Sequence, residues 1–393
     1  MKKIVHISTA DTGGAGLCAY RICKAQRDLG MDAHLIVTHR THTDNFVHQV
    51  GAVAYFLQSA RRKVKKLLGM PDEINTCREL GRQRQATYTL PISPIDLTHN
   101  PLIASADVIH LHWIGGLIDY PSFFKAYSHK TIVFTLHDES MLHGIASVKD
   151  QCLRDHPLEQ KYYRLKLSYT RDIERLGVVF LSKAIYDEYH DHEMLARAHK
   201  TIIHNLVDCS LFKPYDRAYA RRALTLPDTK LFGFCAYAIG DPRKGLGQLS
   251  EALTRMNPQY RILAIGKNRG KKSWPNVMEM GFHTDPGKIS QILSAADFFC
   301  LPSLKEDFAQ APLEALACGT PVIMSPCSGS DELITPENGV RYADFSTEAL
   351  IEGIGQAMQK SYDRTALRQD VTRRFSPQKI ARDYLRFYDT LTS

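Results

Sequence analysis

The feature of this sequence that most restricts its fold is a regular alternation of short apolar runs with longer amphipathic segments. Apolar runs of about four to eight residues are typical of buried β-strands, and amphipathic stretches of about ten or more are typical of helices. Strands that alternate with helices favour right-handed βαβ units and parallel sheets. The predicted strands are residues 4–8, 34–38, 108–112, 131–136, 178–181, 202–204, 231–237, 261–265, 277–280, 298–301 and 321–325.

The alternation occurs twice, with a break near residues 205–214. Since a domain has roughly 100–200 residues, the 393 residues fit two domains. We predict an α/β chain of two doubly wound, Rossmann-like domains that face each other across a cleft. The first spans residues 1–207, with a C-terminal helix near 377–393 packed back on it, and the second spans 208–376. Because ligands bind such sheets at the carboxyl ends of the strands, the cleft is the expected site.

The composition excludes several classes of protein. Hydrophobic residues make up 44% and charged residues 23%, as in soluble globular chains. No stretch approaches the roughly 20 apolar residues of a membrane-spanning helix, and residues 1–8 are too polar for a signal peptide. The net charge of +8 is not gathered in a basic arm or tail, so nucleic acid is not an expected partner. We expect a cytoplasmic protein.

A glycine-rich turn follows the first predicted strand and precedes a helix, and it contains Gly13, Gly14 and Gly16. Glycine lets the backbone approach a ligand closely, and a helix N-terminus favours a phosphate. The spacing differs from the dinucleotide-binding fingerprint, and no acidic residue ends the second strand to bind a ribose. A tight turn with only a structural role is the alternative.

Histidines lie at the ends of two predicted strands. His137 follows an apolar strand, where an imidazole can bond a phosphate, a sugar hydroxyl or a leaving group, while a structural histidine is the alternative. His110 and His112 share one face of another strand, because side chains alternate along a strand. No carboxylate or third histidine at helical spacing accompanies this pair, so we predict no metal site.

Two motifs in the second half place charge after strands. Arg243 and Lys244 lie in a strand–helix turn, where two cations can clamp a diphosphate; a solvated basic turn is the alternative. Residues 303–321 carry Glu306 in a loop and Glu314 in a helix. Carboxylates there can accept hydrogen bonds from vicinal hydroxyls of a ribose or a hexose. The alternative is a helix-entry charge and an ordinary surface helix residue.

Residues 54–68 combine an apolar face at helical spacing with five cations. Two interpretations stay open: an interfacial helix on anionic lipid and an ordinary surface helix packed on the first domain. The first would bring the protein to the inner face of the cell membrane.

Together these segments resemble the retaining glycosyltransferases of family 4, which have the GT-B fold, over most of the chain. The resemblance rests on the glycine-rich turn, the Leu-His-Trp and Thr-Leu-His-Asp strand ends, the linker at 205–214 and Pro-Arg-Lys-Gly at 242–245. Its most specific element is Glu306-x7-Glu314 leading into Ala-Leu-Ala-Cys-Gly-Thr-Pro. The subgroup looks like enzymes that build bacterial capsule, exopolysaccharide or lipopolysaccharide O-chains.

The resemblance implies a role for each motif, with the acceptor on the first domain and the nucleotide-sugar donor on the second. Lys244 would neutralise the donor diphosphate, and His137 would sit beside the transferred sugar. Glu306 would hold that sugar together with the backbone of 307–310, and Glu314 would hold the ribose. The residues implied to bind the donor are Gly13, Gly14, Arg243, Lys244, Gly281, Phe282, Asp307, Phe308, Ala309, Gln310 and Glu314.

One departure from the family pattern concerns the diphosphate. Many members carry an arginine five or six residues before the clamp lysine, where this chain has Ala238 and Ile239. Either Arg243 substitutes for it, or backbone amides hold the phosphates.

The implied activity is transfer of a sugar, with retention and without a metal or other cofactor. The donor would be a nucleotide-diphosphate sugar, and the acceptor a hydroxyl of a glycan or lipid-linked glycan. The alternatives are a nucleotide-sugar epimerase or a phosphorylase on the same fold, and a non-catalytic sugar-nucleotide-binding protein.

Overall fold

The computed structural model describes residues 2–51, 54, 72–84, 86–270 and 272–392, which fall into two compact units. The first unit comprises Met1–Leu181, Ile185–Ile203 and Ala381–Ser393, and the second comprises Ser182–Ala184 and His204–Ile380. Apart from Ala54, the amphipathic segment 54–68 lies outside the described residues.

The first unit is built on a sheet of seven strands. They are β1 (Lys3–Ile7), β2 (Asp32–Val37), β3 (Val47–Gln49), β4 (Val108–Leu111), β5 (Thr131–Leu136), β6 (Arg175–Phe180) and β7 (His199–Ile202). All pairings are parallel, and the order β3-β2-β1-β4-β5-β6-β7 is that of a doubly wound fold. The helices that connect these strands are α1 (Gly13–Asp28), α2 (Glu73–Arg84), α3 (Pro101–Ala104), α4 (Tyr120–Tyr127), α5 (Pro157–Arg171) and α6 (Lys183–Tyr189).

The second unit repeats this plan with six strands. They are β8 (Leu231–Ala238), β9 (Arg261–Lys267), β10 (Val277–Gly281), β11 (Phe298–Leu301), β12 (Val322–Met324) and β13 (Gly339–Arg341), in the parallel order β10-β9-β8-β11-β12-β13. Its helices are α7 (Arg217–Ala223), α8 (Leu246–Met256), α9 (Pro286–Ala295), α10 (Gln310–Ala317), α11 (Ser330–Leu333), α12 (Thr347–Met358) and α13 (Arg364–Phe375). A last helix, α14 (Pro377–Thr392), contributes its residues from Ala381 onward to the first unit.

The strand order of each sheet determines where a ligand can bind. Helices cover both faces of the central strands, and most side chains of these strands are apolar and belong to a large buried core cluster in each unit. The order reverses between β1 and β4 in the first sheet and between β8 and β11 in the second. Loops that leave neighbouring strands in opposite directions open a crevice there, at the carboxyl edge of the sheet. The four loops at these two points carry the glycine-rich turn, Trp113, the 240–245 turn and Glu306.

Four strands show the largest differences from the sequence prediction; the other predicted strands differ from it by at most two residues at either end. The three-residue strands β3 and β13 were not predicted, because three residues are too few to establish a periodicity. Strands β6 and β7 begin three residues earlier than predicted, since each starts with a polar, exposed residue, Arg175 or His199. Within the described part of the chain, no helix combines the length and the apolar character needed to cross a bilayer.

Candidate functional site

The glycine-rich turn of the first unit joins β1 to α1. The N-cap residue Thr12 is extended and its side chain does not cap the helix, so the first-turn amides of α1 have no side-chain partner from the cap. A Cβ added to Gly16 would lie 2.3 Å from the carbonyl oxygen of Ala10, so Gly16 is required by packing. A Cβ at Gly13 or Gly14 would meet no atom within 4 Å, and only Gly13 has a positive φ, of 76°. Neither contacts nor backbone angles therefore require glycine at position 14. The open space beside Gly14 leaves room for an approaching ligand.

His137 lies directly after β5, in a small pocket lined by residues from the ends of β4 and β5. Its Nε2 is 2.9 Å from Nδ1 of His112, and burial lowers its pKa to about 3. The next residue, Asp138, accepts a hydrogen bond of 2.9 Å from the indole of Trp113. Burial raises the pKa of the Asp138 carboxyl, and the hydrogen bonds from Ser140 and Trp113 partly offset this shift. The imidazole is thus held neutral on a rigid strand end.

Three further histidines lie beneath His137. His6 lies on β1 and His110 on β4, and the pairing of these strands places the two residues side by side; His112 directly follows β4. All three are buried, and one ring nitrogen of each lies within 4.8 Å of the others. The sequence pattern revealed His110 and His112, but not His6, because only strand pairing brings β1 next to β4.

Two charged residues on α5 hold the loop that follows His137. The buried carboxylate of Glu159 accepts backbone hydrogen bonds from Gly144 at 2.5 Å and Ile145 at 2.7 Å. The buried ammonium of Lys166 donates to the carbonyl oxygens of Ser140 and His143, at 2.7 Å each. Desolvation lowers the pKa of Lys166 to about 8, although Glu159 and Asp138 oppose this shift. Sequence reasoning missed both residues, because polar side chains on an amphipathic helix normally face water.

Replacing Glu159 by glutamine is expected to destabilise the first unit by about 3 kcal/mol. One of two oxygens that accept backbone N–H groups would become an NH2 group and would leave a buried donor unpaired. Urea unfolding followed by Trp113 fluorescence in a Trp274→Phe background measures this change. The exposed Glu174→Gln is the matched control, with an expected change below about 0.5 kcal/mol. A loss equal to that of the control would show that the loop is held by other contacts.

In the second unit, the predicted cation turn joins β8 to α8. Asp241 caps the 3₁₀ turn Pro242–Lys244 and binds the Arg243 guanidinium at 3.1 and 2.8 Å. The adjacent Asp241 carboxylate raises the pKa of Arg243. Gly245 has a φ of 78°, and a Cβ there would lie 2.3 Å from the carbonyl oxygen of Pro302. This contact joins the turn to the end of β11, and so to the second motif.

The two charged motifs meet at this point. The ammonium of Lys244 lies 2.5 Å from Oε1 of Glu306, and their side chains are 30% and 15% exposed. Glu314, on α10, is buried except for 7% of its surface. Burial raises the pKa of the Cys235 thiol, in the second half of β8, to about 12; Glu314 raises it further and Lys244 lowers it. The charges of Lys244 and Glu314 thus have opposite effects on the same thiol.

The loop before α10 offers backbone rather than side-chain groups. The ring of Phe308 is buried and stacks on His204, with ring centres 4.6 Å apart, while its carbonyl oxygen accepts from Asn205 at 2.7 Å. Gly329, which the sequence did not indicate, leaves space for this loop, since a Cβ there would lie 2.6 Å from the Phe308 ring. The N-cap Ala309 has no side chain able to cap α10, so the helix start at Gln310 presents backbone amides.

An exposed aromatic and basic cluster lies at the ends of β8, β9 and β10. Gly281, with a φ of 82°, precedes Phe282, which is 43% exposed and packs edge-on against Tyr237 at 5.6 Å. The Lys267 ammonium lies over both rings, 4.7 Å from the centre of Tyr237 and 4.3 Å from that of Phe282. Lys267 and Arg269 donate to the Tyr237 hydroxyl at 3.2 and 3.1 Å and lower its pKa. Neither cation forms an ion pair with any described residue.

Residues 220–374 match the sequence model of the family described as glycosyl transferases group 1. D-inositol 3-phosphate glycosyltransferase of Segniliparus rotundus is 30% identical over 141 residues, which cover 31% of this chain and 31% of that protein. GDP-mannose:cellobiosyl-diphosphopolyprenol alpha-mannosyltransferase of Xanthomonas oryzae pv. oryzae is 22% identical over 266 residues, or 63% of this chain and 62% of that protein. The chain thus spans less than two thirds of the length of these curated relatives.

The fold has a counterpart among solved structures. The crystal structure of Anabaena Alr3699/HepE in complex with UDP and glucose matches this chain with a TM-score of 0.65, over 100% of both chains. The sequence identity is 18%, so the likeness concerns the fold alone. The predicted fold class is confirmed: the chain has the GT-B fold, and residues 220–374 match the glycosyl transferases group 1.

Proposed function

We propose that the protein is a glycosyltransferase that moves a sugar from a nucleoside-diphosphate sugar to a hydroxyl group. The observation that carries this proposal is the 2.5 Å Lys244–Glu306 pair at the point where the strand order of the second sheet reverses. Glu314 lies on α10, the helix that follows the Glu306 loop. Cation and carboxylates together suit a ligand with both a diphosphate and sugar hydroxyls. All three residues lie in the segment that matches glycosyl transferases group 1.

The similar proteins support a nucleotide-sugar donor. The Anabaena structure contains UDP and glucose, and the name of the Xanthomonas relative includes GDP-mannose. In this proposal residues 208–376 bind the donor, and residues 1–207 face the acceptor. Phe282 and Gly281 line the base pocket, Glu314 holds the ribose, and the amides of residues 307–310 hold the sugar.

Cations at the carboxyl edge of the second sheet neutralise the diphosphate in this proposal. Lys244 acts directly, whereas Arg243 is held by Asp241. The family's arginine is missing at Ala238, but Lys267 is the neighbour of Ala238 on β9 and has no acidic partner among the described residues. Lys267, with Arg269, therefore supplies the positive charge that the missing arginine would bring.

The proposed reaction proceeds with retention of configuration. The bond from the anomeric carbon to the phosphate oxygen breaks, and the acceptor oxygen bonds to the same face of that carbon. The electron pair of the broken bond stays on the phosphate oxygen, and the negative charge that develops there must be stabilised. The departing phosphate then takes the acceptor's proton. Lys244 and the amides at the start of α10 supply that stabilisation, in the role that a divalent cation plays in other sites. His137 accepts a hydrogen bond from the sugar or the acceptor.

The acceptor in this proposal is a glycan or a lipid-linked glycan. The Xanthomonas relative is named for a cellobiosyl-diphosphopolyprenol acceptor, which is a lipid-linked disaccharide. An acceptor of this kind would place the protein at the inner face of the cell membrane, where residues 54–68 would contact anionic lipid. The corresponding role is synthesis of capsule, exopolysaccharide or O-chains.

A panel of nucleotides and nucleotide sugars tests the donor. UDP, GDP, ADP, UDP-glucose and GDP-mannose are added separately to the purified chain, and the melting temperature is measured. A ligand at a hundred times its Kd stabilises the native state by about 2.7 kcal/mol, which is a shift of several degrees. The donor that shifts the melting temperature is then incubated with glycan and lipid-linked acceptors, and the anomeric configuration of the product is read by NMR.

Each result of this panel has a defined meaning. Sugar transfer to an acceptor, with the donor configuration retained, supports the proposal. Consumption of the donor without an acceptor indicates an epimerase, and consumption that requires inorganic phosphate indicates a phosphorylase. Binding without turnover on any acceptor indicates a sugar-nucleotide-binding protein. The absence of any nucleotide-dependent shift contradicts the donor site itself.

A further inference from the structure

Four histidines of the first unit are linked by hydrogen bonds to Gln26: His6, His112 and His137 in one chain, and His110 through the hydroxyl of Tyr388. His6 and His110 are fully buried, His112 is nearly so, and His137 lies at the end of the chain. Burial lowers the pKa of all four, that of His6 to about 4, so every ring is neutral at physiological pH. A neutral imidazole carries one proton, so one nitrogen donates and the other accepts. The proton position on one ring therefore dictates that on the next.

Gln26, on α1, fixes the first proton of this chain. Its amide nitrogen donates to the hydroxyl of Tyr388, on α14, at 3.2 Å, which directs the amide oxygen toward His6. That oxygen lies 2.8 Å from Nε2 of His6. An amide oxygen only accepts, so Nε2 of His6 carries the proton and its Nδ1 is an acceptor.

The proton positions of His112 and His137 follow in the same way. Nδ1 of His6 accepts from Nε2 of His112, at 2.9 Å, so Nδ1 of His112 must accept in turn. Its donor is Nε2 of His137, also at 2.9 Å. With the proton on Nε2, the Nδ1 of His137 keeps its lone pair and is an acceptor.

A second arm leaves the same amide. The hydroxyl of Tyr388, which accepts from Gln26, donates to Nδ1 of His110 at 2.6 Å. Nε2 of His110 then donates to the hydroxyl of Thr135 at 2.8 Å. This arm keeps the tyrosine proton away from Gln26, so the amide cannot reverse without a change in every bond of both arms.

We infer that Gln26 is a positioning residue that sets the tautomer of His137 through His6 and His112, and leaves Nδ1 of His137 as a hydrogen-bond acceptor. The inference rests on the proposed function only for the purpose of this atom. A nitrogen that accepts hydrogen bonds at this strand end suits a hydroxyl group, either of the transferred sugar or of the molecule that receives it. The tautomer itself follows from the contacts of the first unit alone.

A metal ion bound by His6, His110 and His112 is the competing reading of these residues. Their ligand atoms lie within 4.8 Å of one another, as a metal site requires. However, both ring nitrogens of each of the three are already engaged in hydrogen bonds of 2.6 to 2.9 Å. A metal would have to displace Gln26, Tyr388 or Thr135 from this network, so the geometry favours the relay.

The tautomer can be measured directly by NMR on protein labelled with 15N-histidine. Two-bond couplings from ring nitrogens to carbon-bound protons show which nitrogen carries the proton, and the His137→Gln variant assigns the signals. We expect the Nε2–H form for His137 in the wild type, and its loss in Gln26→Leu. Tyr384→Phe is the matched control: it removes a buried hydroxyl bonded to Thr135 but leaves the arm to His137 intact.

Activity gives a second readout. If sugar transfer is established, Gln26→Leu is expected to lower kcat/KM about tenfold, the size of one lost hydrogen bond, and Tyr384→Phe to leave it unchanged. The Nδ1–H form in the wild type would overturn the inference, even if Gln26→Leu did not fold. So would an unchanged tautomer in folded Gln26→Leu, or stoichiometric zinc that alters all the signals. None of these NMR results depends on sugar transfer, so the tautomer result would stay valid even if the proposed function were wrong.

Discussion

Replacing Lys244 by alanine is expected to lower kcat by about 10²–10³-fold, which is the usual effect of removing one charge that stabilises a developing oxyanion. The ammonium stands 2.5 Å from Glu306 and at the carboxyl edge of the second sheet, where a diphosphate would leave. Without it, the carboxylate would face the departing phosphate and would repel it. Steady-state kinetics with the donor identified by the nucleotide panel measure this effect.

The fold should survive this substitution. Lys244 is 30% exposed and ends a short turn that Asp241 and Gly245 hold by other contacts. Partly exposed ion pairs contribute about 0–1 kcal/mol, so the melting temperature should fall by a few degrees at most. Lys360→Ala, at an exposed lysine of the same unit, is the control and should leave both kcat and melting temperature unchanged.

Lys267 provides a graded comparison for the same site. It lies over the exposed rings of Tyr237 and Phe282. If it binds the donor but does not face the breaking bond, Lys267→Ala should raise the donor KM with little change in kcat. Normal kinetics for Lys244→Ala would remove the diphosphate role of the turn, whatever Lys267 does. An unchanged donor KM in Lys267→Ala would leave the missing arginine without a substitute on β9.

The sequence predicted the parts of the site that lie within one motif. A strand, a short loop and a helix form a local unit, so their order locates Lys244, Glu306 and Glu314 at one sheet edge. The pairing of Lys244 with Glu306 follows from the neighbouring positions of β8 and β11. For Lys244, Glu306 and Glu314, the order of strand, loop and helix was sufficient to predict the sheet edge at which each lies.

The features that the sequence did not indicate depend on contacts between distant segments. Gln26 and Tyr388 are 362 positions apart, yet their hydrogen bond orients the histidine relay. Gln26 belongs to an amphipathic helix, where a single amide gives no sign of burial. Lys267 resembles any basic residue at the end of a strand until the register places it beside Ala238. Topology, rather than local composition, creates these parts of the candidate sites.

Acid is expected to destabilise the first unit in the pH range in which unfolded histidines titrate. Burial lowers the pKa of His6 to about 4 and of His137 to about 3, and it lowers those of His110 and His112 in the same direction. Unfolded histidines have a pKa near 6.5, so below that pH unfolding takes up protons. The free energy of unfolding therefore falls as pH decreases from about 6.5 toward 4, and the effect is absent above 6.5.

Each buried histidine should lower the free energy of unfolding by about 1.4 kcal/mol per pH unit below 6.5, which amounts to about 2 kcal/mol at pH 5. Most carboxylates titrate near pH 4, so a slope between pH 6.5 and 5 identifies histidine. Urea unfolding at several pH values, followed by Trp113 fluorescence in the Trp274→Phe background, gives that slope. His6→Asn should reduce this slope by the amount that corresponds to about one proton, whereas His129→Asn, at an exposed histidine, should leave the slope unchanged. A free energy of unfolding that stays level from pH 7 to 5 would mean that the relay accepts charge without cost, and would contradict a chain of neutral rings.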